Sequence, residues 1–296
     1  MIRAGMSMRF VTVCNIEHPI LEVLKRSAQY HGIDLTVLGL GKPYHGNGTK
    51  ITLIREFLAS MKPEEVLVYT DAWDSLFVAP ETRFREKFAE FKRPIVFGAE
   101  QNLGVRGNDV LWTWQFMPTY LRYPSSPTPY RFLNAGGFMG EAKSLLDLFD
   151  QVPIEANTPS DQTVFTQHYA RNPDLVDLDR HQEIFACNGG RAGLEESDYT
   201  VLPDGDVLNE ITKTHPCIVH IPGVARKGLG DIISALGLED PSGPAPTYSE
   251  ISRAMVWRHR IVDFLGIDNF TLRAIEANLL VLLILSIIGG LLFLFS

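Results

Sequence analysis

Apolar positions along the chain follow two alternating rhythms. Short apolar runs at residues 10–14, 35–40, 66–69 and 94–98 read as β-strands. Between them, apolar residues recur on one helical face. Leu21, Leu24 and Ala28 mark a helix opened by Pro19 and closed by Gly32, and Ile51, Ile54 and Leu58 mark a second. Residues 84–91 mark a third. Strands alternating with helices predict an α/β fold, with a mostly parallel sheet covered by helices on both faces. Ligands of such sheets bind beyond the carboxyl ends of the strands. Residues 117–129, rich in Pro, Tyr and Ser, read as an ordered surface loop.

The rhythm stops near the C-terminus. In residues 279–295 only Ser286, Gly289 and Gly290 are not Leu, Ile, Val or Phe. As a helix, residues 278–296 would measure about 28 Å at roughly 1.5 Å per residue, close to the ~30 Å of a bilayer core. The stretch has no polar stripe, which a buried core helix would keep, so it predicts a transmembrane helix, with Asp268 or Asn269 as N-cap. Arg253, Arg258, Arg260 and Arg273 precede it and nothing basic follows, so the body is expected on the cytoplasmic side. Residues 1–15 hold no apolar run of signal-peptide length. Residues 251–265 mix aromatic and aliphatic side chains with arginines, which suits either an interfacial amphipathic helix or a last helix packed on the body. Ser286 and Gly290 form a small-xxx-small pair. The expected organisation is a body at 8–237, a Pro/Gly linker at 238–248, a juxtamembrane segment at 249–277 and a span at 278–296.

Composition narrows the function. Of 296 residues 45% are apolar, enough to bury a core, and the net charge of −8 argues against nucleic-acid binding, which needs a basic stripe. The three cysteines, Cys14, Cys187 and Cys217, show no paired spacing and read as buried reduced thiols.

Candidate chemistry gathers at strand ends. Asp71 and Asp74 follow the strand at 66–69, a spacing that suits a hard divalent cation such as Mg²⁺ or Mn²⁺ or a helix cap. His220 ends a run at 217–220, as a nitrogen ligand or as a hydrogen-bonded edge residue. Gly46-x-Gly48-x-Lys50 opens a helix whose N–H groups would face phosphate, with Lys50 as a point charge. Gly136, Gly137 and Gly140 mark either a close backbone approach or tight turns. Ser160 reads as an N-cap, with Asp161 at its side either complementing the helix dipole or facing the cleft.

In order, Val37-Leu-Gly-Leu-Gly41, Lys50, Tyr69-Thr-Asp71-Ala-Trp-Asp74-Ser-Leu-Phe77, Val96-Phe-Gly-Ala-Glu100, Phe132-Leu-Asn-Ala-Gly-Gly-Phe-Met-Gly140, Asp161-Gln162, Leu178-Asp179, Ile184-Phe185 and His220-Ile-Pro-Gly223 appear. The series resembles the glycosyltransferase domain of procollagen-lysine hydroxylases and related procollagen glycosyltransferases, over roughly residues 9–224. That resemblance implies a GT-A fold that uses Mn²⁺ (or Mg²⁺) and a UDP-sugar. It implies Asp71, Asp74 and His220 as metal ligands, and Lys50, Thr70, Asn134, Gly136, Gly137 and Gly223 around the donor. Asp161 is implied beside the transferred sugar, as a base toward the acceptor hydroxyl or as a stabiliser of the oxocarbenium-like sugar. The sequence departs from the family at Ser160, where a second acidic residue is common, and at His-Ile-Pro-Gly in place of His-Gly-Asn-Gly. The expected activity is transfer of a hexose, galactose or glucose, to a hydroxyl acceptor at the membrane face. A Mg²⁺-dependent phosphohydrolase and a non-catalytic tail-anchored adaptor are the alternatives.

Overall fold

The computed structural model describes residues 6–106, 111–187, 198–222, 227–238 and 269–294, with residues 257, 261, 264, 265 and 267. Its elements are β1 (Met8–Val13), α1 (Pro19–Tyr30), β2 (Leu35–Leu38), α2 (Gly48–Leu58), β3 (Val66–Thr70), β4 (Ser75–Phe77), α3 (Glu81–Glu90), β5 (Ile95–Glu100), α4 (Trp112–Arg122) and β6 (Phe132–Glu141). They continue with α5 (Ala142–Gln151), α6 (Asp161–Arg171), β7 (Asp177–Asp179), β8 (Phe185–Cys187), β9 (Tyr199–Val201), β10 (Val207–Asn209), β11 (Ile218–His220), α7 (Lys227–Ala235) and α8 (Asn269–Leu294).

Nine strands form one sheet in the order β2-β1-β3-β6-β5-β8-β11-β4, with β7 paired to β5, while β9 and β10 make a separate hairpin. The pairings of β1 with β2 and β3, of β5 with β7 and β8, and of β8 with β11 are parallel. Two strands run against them. β6 is antiparallel to both β3 and β5, and β4 is antiparallel to β11. The mostly parallel expectation holds, with β6 inserted at its centre.

β6 corrects the tight-turn reading of the glycines. Phe132–Glu141 is buried at every position but the last, so side-chain volume on both sheet faces is limited by what packs there. A Cβ on Gly137 would lie 2.7 Å from Phe185 Cδ1, and one on Gly140 would lie 2.9 Å from the Pro94 carbonyl oxygen. The glycines let a central strand pass close to rings and backbone that a Cβ would strike.

The expected loop at 117–129 is corrected in its first part, because α4 runs through Pro118 to Arg122. Pro118 removes one helical hydrogen bond, but Trp112, Thr113, Phe116 and Thr119 bury one face of α4 in the core and outweigh it. Residues 123–129 remain irregular.

The tail forms the helix α8, apolar enough over Phe270–Ile288 to cross a membrane, with most of that stretch exposed. Its first turn is different from the rest. Phe270 and Leu272 are buried on the body, and the Phe270 ring stacks on Tyr120 with centroids 4.2 Å apart. Of the expected linker at 238–248 all but Leu238, which is buried in the body, lies outside the described residues, as do the Asp268 cap and most of residues 251–265.

Gly137→Ala should destabilise the fold by about 1–3 kcal/mol, the usual range for overpacking a tight core. A lowered urea midpoint with an unchanged m-value is the expected observation.

Candidate active site

The carboxyl edge of the sheet collects side chains from strands that are neighbours in space but distant in sequence. Asp71 follows β3, and its N–H donates to the Gly136 carbonyl at 2.8 Å. Two residues on, Trp73 packs its ring on His18, with centroids 4.4 Å apart, and Asp74 leads into β4. Because β4 pairs with β11 so that Ser75 stands opposite His220, Asp74 and the histidine are held side by side. The Ile221 N–H donates to the Asp74 carbonyl at 2.8 Å and fixes that register. His220 Nε2 then lies 3.3 Å from Asp74 Oδ1 and 4.0 Å from Asp71 Oδ2. One ligand atom from each of the three residues falls within 4.8 Å of the others. Gly136 makes the approach possible, since a Cβ there would sit 2.2 Å from His220 Cε1 and 3.0 Å from Asp71 Oδ2.

The second imidazole nitrogen is also engaged. His220 Nδ1 lies 3.7 Å from the Sγ of Cys187, the residue paired with it across β8 and β11. That contact orients the ring with Nε2 toward the carboxylates. Burial would lower the His220 pKa, but Asp74 and Asp71 beside it hold it above the ordinary imidazole value.

Lys50 bridges the two sides of the cleft. Its Nζ is 2.9 Å from Asp71 Oδ1 and 3.0 Å from Asp161 Oδ2. Burial opposes the charge on this amine, yet Asp71, Tyr69 and Asp161 hold its pKa well above the usual lysine value. Tyr69 donates its hydroxyl to the same Asp71 Oδ1, which leaves Oδ2 turned toward His220. The glycine loop before Lys50 does not act as expected. Gly48 N–H donates to the Thr158 carbonyl at 2.9 Å, and a Cβ on Gly48 would fall 1.9 Å from the Glu155 carbonyl oxygen. This loop is packed on residues 155–158, so α2 offers the cleft its Lys50 side chain rather than a backbone cradle.

Glu100, Gly104, Arg106 and Gln162 form another part of the wall of the open cleft, of about 240 Å³, that Asp71 and His220 line. Glu100 is buried at the end of β5 and accepts from Asn134 Nδ2 and Gln162 Nε2, each at 3.1 Å. Burial pushes its pKa up to about 7, against the lowering effect of the Asn134 donor. Asn134 Oδ1 accepts from the Gly136 N–H at 2.9 Å, and Gln162 Oε1 accepts from the Ala135 N–H at 2.6 Å. Both amides therefore pin the strand that Asp71 and His220 lean on. Ser160 caps α6, its Oγ accepting from the Thr163 N–H at 3.2 Å. Asp161, 2% exposed, has its carboxylate on Lys50, so it does more than complement the helix dipole.

The structure thus brings together Lys50, Asp71, Asp74, Asn134, Gly136, Asp161 and His220. Thr70 sits behind them, with its hydroxyl on Ser75 Oγ at 2.8 Å. Gly137 has Phe185 where a side chain would be, and Gly223 lies outside the described residues. Glu100, Gln162, Tyr69 and Cys187 stood in or beside the quoted motifs without a role. The strand-end rule that singles out Asp71 also reaches Glu100, whereas the Gln162 and Cys187 contacts arise only from tertiary packing.

Residues 5–235 match the family model described as the PLOD GT domain. The Drosophila melanogaster procollagen-lysine,2-oxoglutarate 5-dioxygenase is 30% identical over 69% of this chain and 29% of its own. The Caenorhabditis elegans multifunctional procollagen lysine hydroxylase and glycosyltransferase is 27% identical over 77% of this chain and 32% of its own. The chain thus spans about a third of the length of these relatives. Among solved structures, the bifunctional glycosyltransferase WbbM is 10% identical with a TM-score of 0.45, covering 78% of this chain and 50% of that one. By the family match over residues 5–235, the chain belongs to the PLOD glycosyltransferase-domain family.

Proposed function

We propose that the protein is a metal-dependent hexosyltransferase that takes glucose or galactose from a UDP-sugar to a hydroxyl acceptor. The observation that carries this reading is the convergence of Asp71, Asp74 and His220 in one small volume, with Asp71, His220 and Lys50 lining one cleft. Two carboxylate oxygens and one imidazole nitrogen make a donor set suited to Mn²⁺, with Mg²⁺ the harder alternative. When bound there, the cation would supply Lewis-acid neutralisation of the diphosphate. Gly136 keeps space for it by having no Cβ.

The chain's own groups do the rest. Lys50 presents a permanent positive charge toward a diphosphate, while Tyr69 and Lys50 hold Asp71 in place. Asn134 and the backbone at Gly136 face the cleft where the sugar would lie. Asp161, held at its side by Lys50, either accepts the proton of the acceptor hydroxyl or stabilises positive charge on the sugar. Glu100, with its pKa at about 7, is a second carboxyl on the same wall. Membrane attachment through α8, with the body on the cytoplasmic face, is supported by the arginines that precede the helix.

A screen of UDP-sugars with Mn²⁺, following UDP release, tests the activity directly. Asp74→Asn is expected to weaken Mn²⁺ binding and turnover with the fold retained. Unchanged Mn²⁺ affinity in both Asp74→Asn and His220→Ala would falsify the metal assignment.

Asp161→Asn is expected to lower kcat by about 10²-fold or more, typical of a lost acid–base or charge-stabilising group, with UDP affinity nearly unchanged by calorimetry. Wild-type turnover in that variant would move the role elsewhere.

Removing residues 278–296 should release the protein from membranes with donor hydrolysis retained, since Phe270 and Leu272 stay in the body. In sealed vesicles with the cytoplasmic face outward, added protease should digest the full-length body. Protection there would overturn the orientation.

A further inference from the structure

The first turn of α8 is built into the catalytic body rather than merely tethered to it. Phe270 is 3% exposed and Leu272 7%. The Phe270 ring lies against both Tyr120 and Trp112, with centroids 4.2 and 5.2 Å away. The Arg273 guanidinium sits over the Trp112 ring at 4.6 Å. Trp112 in turn donates its indole Nε1–H to the Val105 carbonyl at 3.0 Å. Val105 stands between Gly104 and Arg106, two residues of the cleft wall. Residues 101–106 form no helix or strand, so this wall depends on side chains for its shape. Leu103 and Val105 bury in the same apolar cluster as Trp112 and Phe270. The Arg106 N–H is taken by Thr163 Oγ1 at 2.8 Å.

We propose that Phe270 is a positioning residue of the cleft: by filling the space between Trp112 and Tyr120 it holds the 101–106 wall in place through the Trp112–Val105 hydrogen bond. Because Phe270 opens the same continuous helix that is long and apolar enough to cross a bilayer, seating of the membrane helix and the shape of this wall form one equilibrium. Loss of the ring leaves Trp112 without packing on that side, and the wall it holds has no ladder of backbone bonds to fall back on. The metal cluster stands on strands β3, β4 and β11 and does not share this support. The inference takes its functional meaning from the transferase reading but rests structurally on contacts that do not involve a donor or a metal.

Hydrogen exchange on the full chain in lipid nanodiscs tests it without reference to activity. In Phe270→Ala the amides of residues 101–106 should exchange about tenfold faster, with those of β3 and β6 unchanged. Trp112→Phe, which keeps a ring but removes the indole N–H, should produce the same local change. Phe270→Tyr should restore protection. Exchange unchanged at 101–106 overturns the proposal, as does a uniform rise across the body, which would mark Phe270 as a general stabiliser. A kinetic arm follows UDP-glucose and UDP-galactose hydrolysis with Mn²⁺. Phe270→Ala should lower kcat by about tenfold or more, since small misplacements of a binding wall are costly to reactive geometry, with Mn²⁺ affinity unchanged. A parallel loss of Mn²⁺ affinity would also count against it. If the wild-type chain turns over no UDP-sugar, the transferase reading fails, and the exchange data still decide the coupling.

Discussion

Two carboxylates and an imidazole occupy one small volume because β6 passes between them with no side chain at residue 136. A Cβ there would lie 2.2 Å from the His220 ring and 3.0 Å from Asp71, so even alanine would drive the histidine off Asp74. The rest of the site is arranged around that gap. β6 must run antiparallel so that its first half reaches the carboxyl edge where β3 and β5 end, with Thr70 opposite Gly137 and Glu100 opposite Phe132. Asn134 Oδ1 then accepts from the glycine's own N–H and Gln162 Oε1 from that of Ala135 before it, which keeps the strand from moving away.

Such crowding has an electrostatic cost. Asp71, Asp74 and Asp161 share one lysine and one histidine, and like charges this close oppose each other unless they are paired. Lys50 meets the need for Asp71 and Asp161 together, which explains why a nearly buried lysine keeps its proton. His220 meets it for Asp74 by holding its own proton more tightly than a free imidazole. Both pairings place a positively charged group beside each carboxylate of the cluster.

What the sequence made legible follows from how local each signal was. The strands at 10–14, 35–40, 66–69 and 94–98 appear within two residues at either end of β1, β2, β3 and β5; β1, β3 and β5 are buried parallel strands that need continuous apolar runs, while β2 is a partly exposed edge strand. Ser160 and α6 were readable from one capping residue. β6 was not, since Asn134, Gly136, Gly137 and Gly140 look like turn residues and only the packing of His220, Phe185 and Ile95 turns them into strand requirements. α4 was hidden for a similar reason. Pro118 signals a break, and the burial that overrides it comes from partners far along the chain. At the site, the carboxylates were visible as strand ends, while the Lys50 bridge to Asp161 joins two helices and no spacing rule foretells it.

The two sides of the cleft are therefore made of different material. On one side, Asp71, Asp74 and His220 stand at the ends of paired strands, where backbone bonds such as Ile221 N–H to Asp74 and Asp71 N–H to Gly136 allow little play. On the other, Gly104 and Arg106 belong to an irregular segment whose shape comes from the Trp112 indole, the Thr163 hydroxyl and apolar packing. A ligand recognised by shape and by a few placed hydrogen bonds would respond to the irregular wall more than to the paired strands. In this chain that wall shares its core with the first turn of a helix able to enter a membrane.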